Sequence, residues 1–203
     1  DPEVVLLIFL PVLVFEGALF ADADSMADAR RPILALALPG VLLSLVGTAA
    51  VATFGLGLPF AAALLLGALL SITDTVSVLL AFRSVRVPRR LAAIMEGESL
   101  FNDATALVLV SVTAGVVARG RFDTQEALRA FGLALVGGVA IGAALGALGA
   151  SVLRRTPDHL TAILASAVLV FGTSLLAERV HASPVMAVVV AGLLVGRSAR
   201  RHL

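Results

Sequence analysis

The sequence predicts an all-α fold, a polytopic transmembrane helical bundle, and three features carry that prediction. Apolar residues make up 60% of the chain and mean hydropathy is +1.06, above what a water-soluble domain carries. The apolar runs recur along the whole length, and several exceed the ~20 residues that cross a hydrocarbon core. Charges collect between the runs, and the 15 basic residues, all of them Arg, favour alternate loops. A bilayer core offers no water to backbone polar groups, so such segments close their hydrogen bonds internally as helices.

Taken in order, the runs predict helices over 3–20, 32–56, 59–82, 91–118, 127–153, 160–179 and 184–197. The first ends at the acidic stretch after Phe20. Pro32, Pro59 and Pro184 open the second, third and last, where a missing N–H would have no helical partner anyway. Gly55-Leu-Gly-Leu-Pro59 breaks the second from the third and makes them an up-down pair. Arg83 to Arg90 separates the third from the fourth, and the charged stretch 119–129 separates the fourth from the fifth. The fifth carries Gly138, Gly142 and Gly146 at four-residue spacing, with Gly149 close by. Such a stripe lets another backbone approach closely; the plainer reading is packing within the chain, and a dimer face is the second. The last helix is short for a span.

With seven alternating crossings, the connections 21–31, 83–90, 154–159 and 197–203 share one side. They carry eleven Arg, against four (Arg119, Arg121, Arg129 and Arg179) on the other side. By the positive-inside bias, the Arg-rich side is cytoplasmic and the N-terminus outside. The all-Arg, Ala- and Gly-rich usage points to a GC-rich bacterial genome. Cys is absent, which excludes disulfides, thiolate metal sites and cysteine catalysis. A net charge of +1 gives no case for a nucleic-acid surface. The opening residues lack a positive n-region and do not read as a signal peptide. The chain reads as an internal fragment of a longer protein.

The chemistry lies in two carboxylates on successive helices. Asp74 sits within Ser71-Ile-Thr73-Asp74-Thr75-Val-Ser77, a cluster of hard oxygen donors suited to an alkali cation, whose hydroxyls can also bond back to the helix. Asp103 is nearly central in 91–118, with Asn102 beside it. Glu98 precedes Asn102 by four residues on the same face. Glu96 aligns with Asp103 two turns, or ~10 Å, away. Ser99 and Thr105 add hydroxyls. An ionisable side chain at membrane depth marks an ion or proton pathway by default, and these residues together suggest one wet face at one depth. Removal from water penalises the charged form of a carboxyl, so Asp103 could hold a proton or a metal cation, but not both. Two conformations opening to opposite sides would turn that competition into exchange. The bland alternative for Asp74 is a polar helix–helix contact. Glu16 and Glu178 read as capping or interfacial groups. His159, His181 and His202 lie in loops or at the terminus and suggest no metal site.

Glu96-Gly-Glu-Ser-Leu-Phe-Asn-Asp-Ala-Thr-Ala-Leu-Val resembles the signature of the monovalent cation:proton antiporter-1 family, which holds the NhaP-type antiporters and the sodium/proton exchangers. Thr73-Asp74-Thr-Val-Ser-Val resembles that family's Thr-Asp-Pro-Val-Ala-Val motif. Phe9-Leu-Pro-Val-Leu-Val-Phe-Glu-Gly-Ala-Leu and the stretches around Leu176-Ala-Glu-Arg-Val and Val188-Val-Val-Ala-Gly-Leu are similar to its flanking helices. The resemblance implies a secondary antiporter, not an enzyme, exchanging Na⁺ or Li⁺ for H⁺ one for one and serving pH regulation. By that resemblance it would sit in the plasma (inner) membrane as a multi-pass homodimer, with no cofactor beyond the transported ions. It implies Asp103 as the ion-binding and proton-accepting carboxylate, with Asn102 as its partner. Thr73, Glu98 and Ser99 would join Asp103 around Na⁺, and Asp74 would belong to the site or stabilise it. Residues 1–203 would be part of the transporter domain, with helices 32–118 one half of an inverted repeat whose middle helix is broken. Thr75 stands where the family has Pro, so the break must be kept without it. A K⁺/H⁺ or broad alkali-cation exchanger is the alternative. An intramembrane aspartyl protease would need Tyr-Asp and Gly-x-Gly-Asp motifs, and neither occurs.

Overall fold

Segments that must satisfy their own backbone coil into helices, and every regular element among the described residues is helical. The structure is a computed structural model that describes residues 8–72, 87–156 and 158–200. In chain order the helices are α1 (Leu10–Phe20), α2 (Ala23–Asp28), α3 (Arg30–Gly55), α4 (Phe60–Leu70), α5 (Arg89–Arg119), α6 (Thr124–Leu153), α7 (His159–Arg179) and α8 (Pro184–Arg200). Of these, α3, α5, α6 and α7 are long and apolar enough to cross a membrane.

Capping chemistry explains where the ends differ from the sequence reading. Helix α2 falls in a predicted loop; Asp22 nucleates it by accepting from the Ser25 amide at 3.2 Å and from the Ser25 hydroxyl. Helix α6 starts at Thr124 instead of 127 because the Asp123 carboxylate accepts from the amides of Gln125 (2.9 Å) and Glu126 (3.0 Å), covering first-turn donors that no helix satisfies internally. Helix α5 begins at Arg89, behind Pro88, and stops at Gly120, whose φ of 65° only glycine adopts freely. Pro39 lies inside α3, and the helix passes it through a wider π-type turn over Leu36–Gly40, since proline can neither donate to the ladder nor clear the preceding carbonyl. The predicted helix 59–82 is seen as α4 up to Leu70; its remainder from Thr73 onward lies outside the described residues.

The chain forms two units. One is continuous, Ala29–Leu133, and contains α3, α4, α5 and the first turns of α6. Its core is Val41, Leu45, Ala49 and Ala52 of α3, Ala63, Leu64 and Ala68 of α4, and Ala106 and Leu109 of α5. Gly67 brings α4 so close to α3 that a Cβ there would lie 2.6 Å from the Leu45 carbonyl oxygen.

The other unit joins Asp1–Asp28 to Ala134–Leu203 and is built around α8. Val188 and Val189 of that helix are fully buried. Gly192 and Gly196 meet α1 at Phe15, Ala18 and Leu19, while Gly142 and Gly146 of α6 meet Ala187 and Ala191 of α8. The glycine stripe of α6 is thus occupied within the chain. Arg200 donates to the carbonyls of Leu19 and Ala21 at the end of α1, and Arg197 pairs with Asp24 at 2.7 Å. The shortness of α8 fits its place as the most enclosed helix of this unit.

Candidate functional site

Polar groups taken out of water must find partners, so deeply buried polar side chains mark a site more sharply than charge alone. In the continuous unit, Ser71, Asn102 and Thr105 are all at 1% exposure or less. Their relative level follows from the direction of the helices. Phe60, which opens α4, meets Phe122, just past the end of α5, edge to face at 5.5 Å, so the two helices run in opposite directions. Leu64 with Leu109, and then Ala68 with Ala106, lie in one core cluster. One turn further along come Ser71 on α4 and Asn102 on α5. The buried polar level therefore falls at the centre of the 31-residue α5.

Two columns of polar residues run along α5. Glu98, Asn102 and Thr105 form the deeper one, and the Asn102 side-chain amide donates to Glu98 Oε1 at 3.1 Å. Thr105 donates its hydroxyl to the Phe101 carbonyl at 2.7 Å, the usual way a hydroxyl satisfies itself inside an apolar helix packing. Glu96, Ser99 and Asp103 form the second column, all half-buried, about a third of a turn around the helix. The single wet face expected from the sequence is two faces of one helix, with Asn102 on one and Asp103 on the other.

Asn102, Asp103, Glu98 and Ser99 are thus brought onto adjoining faces of one helix. Thr73 and Asp74, and with them Thr75, lie outside the described residues. Among the described residues no group of three His, Asp or Glu side chains gathers as a metal-binding cluster. Glu16, Glu178, His159 and His181 are exposed. Toward the α4–α5 end marked by Phe60 and Phe122, the same unit holds an apolar cavity of about 490 Å³, with Leu45, Ala49, Leu64, Leu109 and Phe131 in its walls. It offers an ion almost no polar surface.

Two features escaped the sequence reading. Ser71 is there one hydroxyl among several, whereas in the structure it donates to the Ala68 carbonyl at 2.7 Å and stands where α4 ends. Thr113, two turns beyond Thr105, is also buried and bonds to the Leu109 carbonyl at 2.8 Å. The spacing Asn102–Thr105–Leu109–Thr113 was the available signal, since steps of three and four share a helix face.

The family described as "Sodium/hydrogen exchanger, transmembrane" matches residues 1–203. The chain is 43% identical to the Na(+)/H(+) antiporter NhaS2 of Synechocystis sp., over 100% of this chain and 37% of that protein. It is 39% identical to the Na(+)/H(+) antiporter NhaP of Pseudomonas aeruginosa, over 98% of this chain and 49% of that protein. With the Na(+)/H(+) antiporter ApNhaP of Aphanothece halophytica it shares 38% identity, over 99% and 39% of the two chains. The chain spans between about a third and a half of the length of these relatives. A match over the full chain settles its kinship: the chain belongs to the sodium/hydrogen exchanger transmembrane family.

Proposed function

We propose that this chain is the ion-binding portion of a secondary antiporter that exchanges Na⁺ or Li⁺ for H⁺. The observation that carries the reading is the buried Asn102, bonded to Glu98 one turn away and adjoining the half-buried Asp103 at mid-helix. Relatives that match nearly the whole chain are named Na(+)/H(+) antiporters, which supports the choice of ions. In this reading Asp103 holds either a proton or the cation. Asn102 ties the deeper column to it and keeps Glu98 oriented, while Ser99, on the column of Asp103, supplies a hydroxyl oxygen. Glu98 and Thr73 complete the oxygen set, and Asp74 belongs to the site or stabilises it.

Because the proton and the cation cannot occupy one carboxylate together, each entry displaces the other ion. A conformational change that carries the site from one side to the other then yields exchange and not leak. The exchange is one for one. Helices 32–118 act as one half of an inverted repeat, the protein works as a homodimer in the inner membrane, and the Arg-rich loops face the cytoplasm.

The test uses everted vesicles bearing the full-length parent and a pH-sensitive dye. Pulses of Na⁺ or Li⁺ are expected to dequench the dye, and Asp103→Asn is expected to abolish the response. An Asp103→Asn protein that still exchanged ions for protons would overturn the mechanism. A response to K⁺ alone would move the substrate to K⁺/H⁺ exchange.

A further inference from the structure

Helix α4 stops after 11 residues, about 16 Å of rise, roughly half of a ~30 Å hydrocarbon core. Its partner α3 runs 26 residues, and Gly67 lies against Leu45 and Ala49 of that helix. The end of α4 therefore falls near the midpoint of α3, at the level of Asn102 on α5. Nothing in Leu66-Gly-Ala-Leu-Leu-Ser-Ile72 forces a helix to stop: there is no Pro and no glycine past the end. At the end of the ladder stands Ser71. Its hydroxyl donates to the Ala68 carbonyl at 2.7 Å, and its amide also turns to Ala68, at 3.4 Å, three residues back instead of four. Both donors of one buried residue thus converge on one carbonyl, and the last turn tightens.

From this we infer that Ser71 is a positioning residue, a built-in stop that holds the end of α4 at the depth of the Asn102–Asp103 pair without a proline. Ser71 acts here through the backbone, by fixing where the helix ends beside α5, and not by binding the cation. The inference rests on the antiport reading for its functional consequence, but its structural content stands apart from it.

Two readouts separate the parts. In the full-length parent, Ser71→Ala is expected to raise the Na⁺ concentration for half-maximal exchange roughly fivefold to tenfold, the loss of about one hydrogen bond, with the maximal rate near wild type. Ser71→Thr, which keeps the hydroxyl, is expected to restore the wild-type value. In the same detergent-solubilised proteins, Ser71→Ala is expected to slow amide hydrogen exchange at positions 71 and 72, because the ladder closes onto Gly67. Equal Na⁺ dependence in Ser71→Ala and wild type, or equal damage from Ser71→Ala and Ser71→Thr, overturns the functional assignment. Unchanged amide exchange in Ser71→Ala overturns the stop itself. If the wild-type parent exchanges no ion yet the amides slow, the antiport reading falls and the helix stop stands.

Discussion

Replacing Gly67 by Ala tests whether the backbone-to-backbone approach of α3 and α4 sets the geometry of the site. A Cβ at Gly67 would lie 2.6 Å from the Leu45 carbonyl oxygen, 3.3 Å from its carbon and 3.4 Å from the Ala49 nitrogen. A carbon rests against a carbonyl oxygen at ~3.3 Å or more, so the two helices must part by about 0.7 Å. Every neighbour in that contact is main chain, and no rotamer change can absorb the strain. Overpacking of this kind costs about 1–3 kcal/mol, while alanine gains up to about 1 kcal/mol over glycine in a helix. The net expectation is a loss of about 1–2 kcal/mol. Gly47, on the same α3, is the control: nothing lies within 4 Å of a Cβ there, so Gly47→Ala is expected to be neutral or mildly stabilising. The assay is thermal unfolding of the full-length parent in detergent, followed by the monodisperse fraction in size-exclusion chromatography. Equal midpoints for the two variants would refute the claim that α4 is seated by a glycine contact.

Other expectations concern the loops. His181 takes a φ of 57° at the end of α7, where Ala182 N–H returns to the Ala177 carbonyl at 2.9 Å; this is the left-handed closing position that glycine fills without strain. His181→Gly is expected to stabilise by about 1 kcal/mol, read as a raised thermal midpoint. Asp158 caps α7 by accepting from the Thr161 hydroxyl (2.6 Å) and amide (2.8 Å), bonds that hold its carboxyl below the ordinary 3.8. Because the folded state favours the charged form, the cap is intact above that ordinary value and is lost as pH falls through the lowered folded one. Acid titration of the helical signal should therefore show less loss in Asp158→Asn, which caps without charge, than in wild type.

The helices were legible because bilayer length and loop charge leave strong marks, and the polar run 96–103 pointed to the helix proposed to carry the chemistry. Less legible was everything that depends on a neighbour. Glu96, Glu98, Asn102 and Asp103 look like one face when counted along the chain, yet steps of four and seven keep Glu98 with Asn102 and Glu96 with Asp103, while steps of two and five set the two pairs on separate columns. Ser71 reads as one more oxygen donor until the Ala68 carbonyl is seen to take its hydrogen. The α6 glycines left open which surface would fill them, and only the packed structure gives Ala187 and Ala191. Asp22, Asp123 and Asp158 start helices through amides two to three residues away, a local code available in the sequence but overshadowed by the apolar periodicity.

The discontinuous unit bears on how such a protein matures. Arg200 binds the Leu19 carbonyl across 181 positions of sequence, so α1 must wait for a companion that the ribosome delivers long after it. The continuous stretch between them can settle meanwhile, since units tend to fold as their own sequence emerges. A release of the nascent chain before α8 would leave α1 without its mate, and quality control should recognise that orphaned helix first.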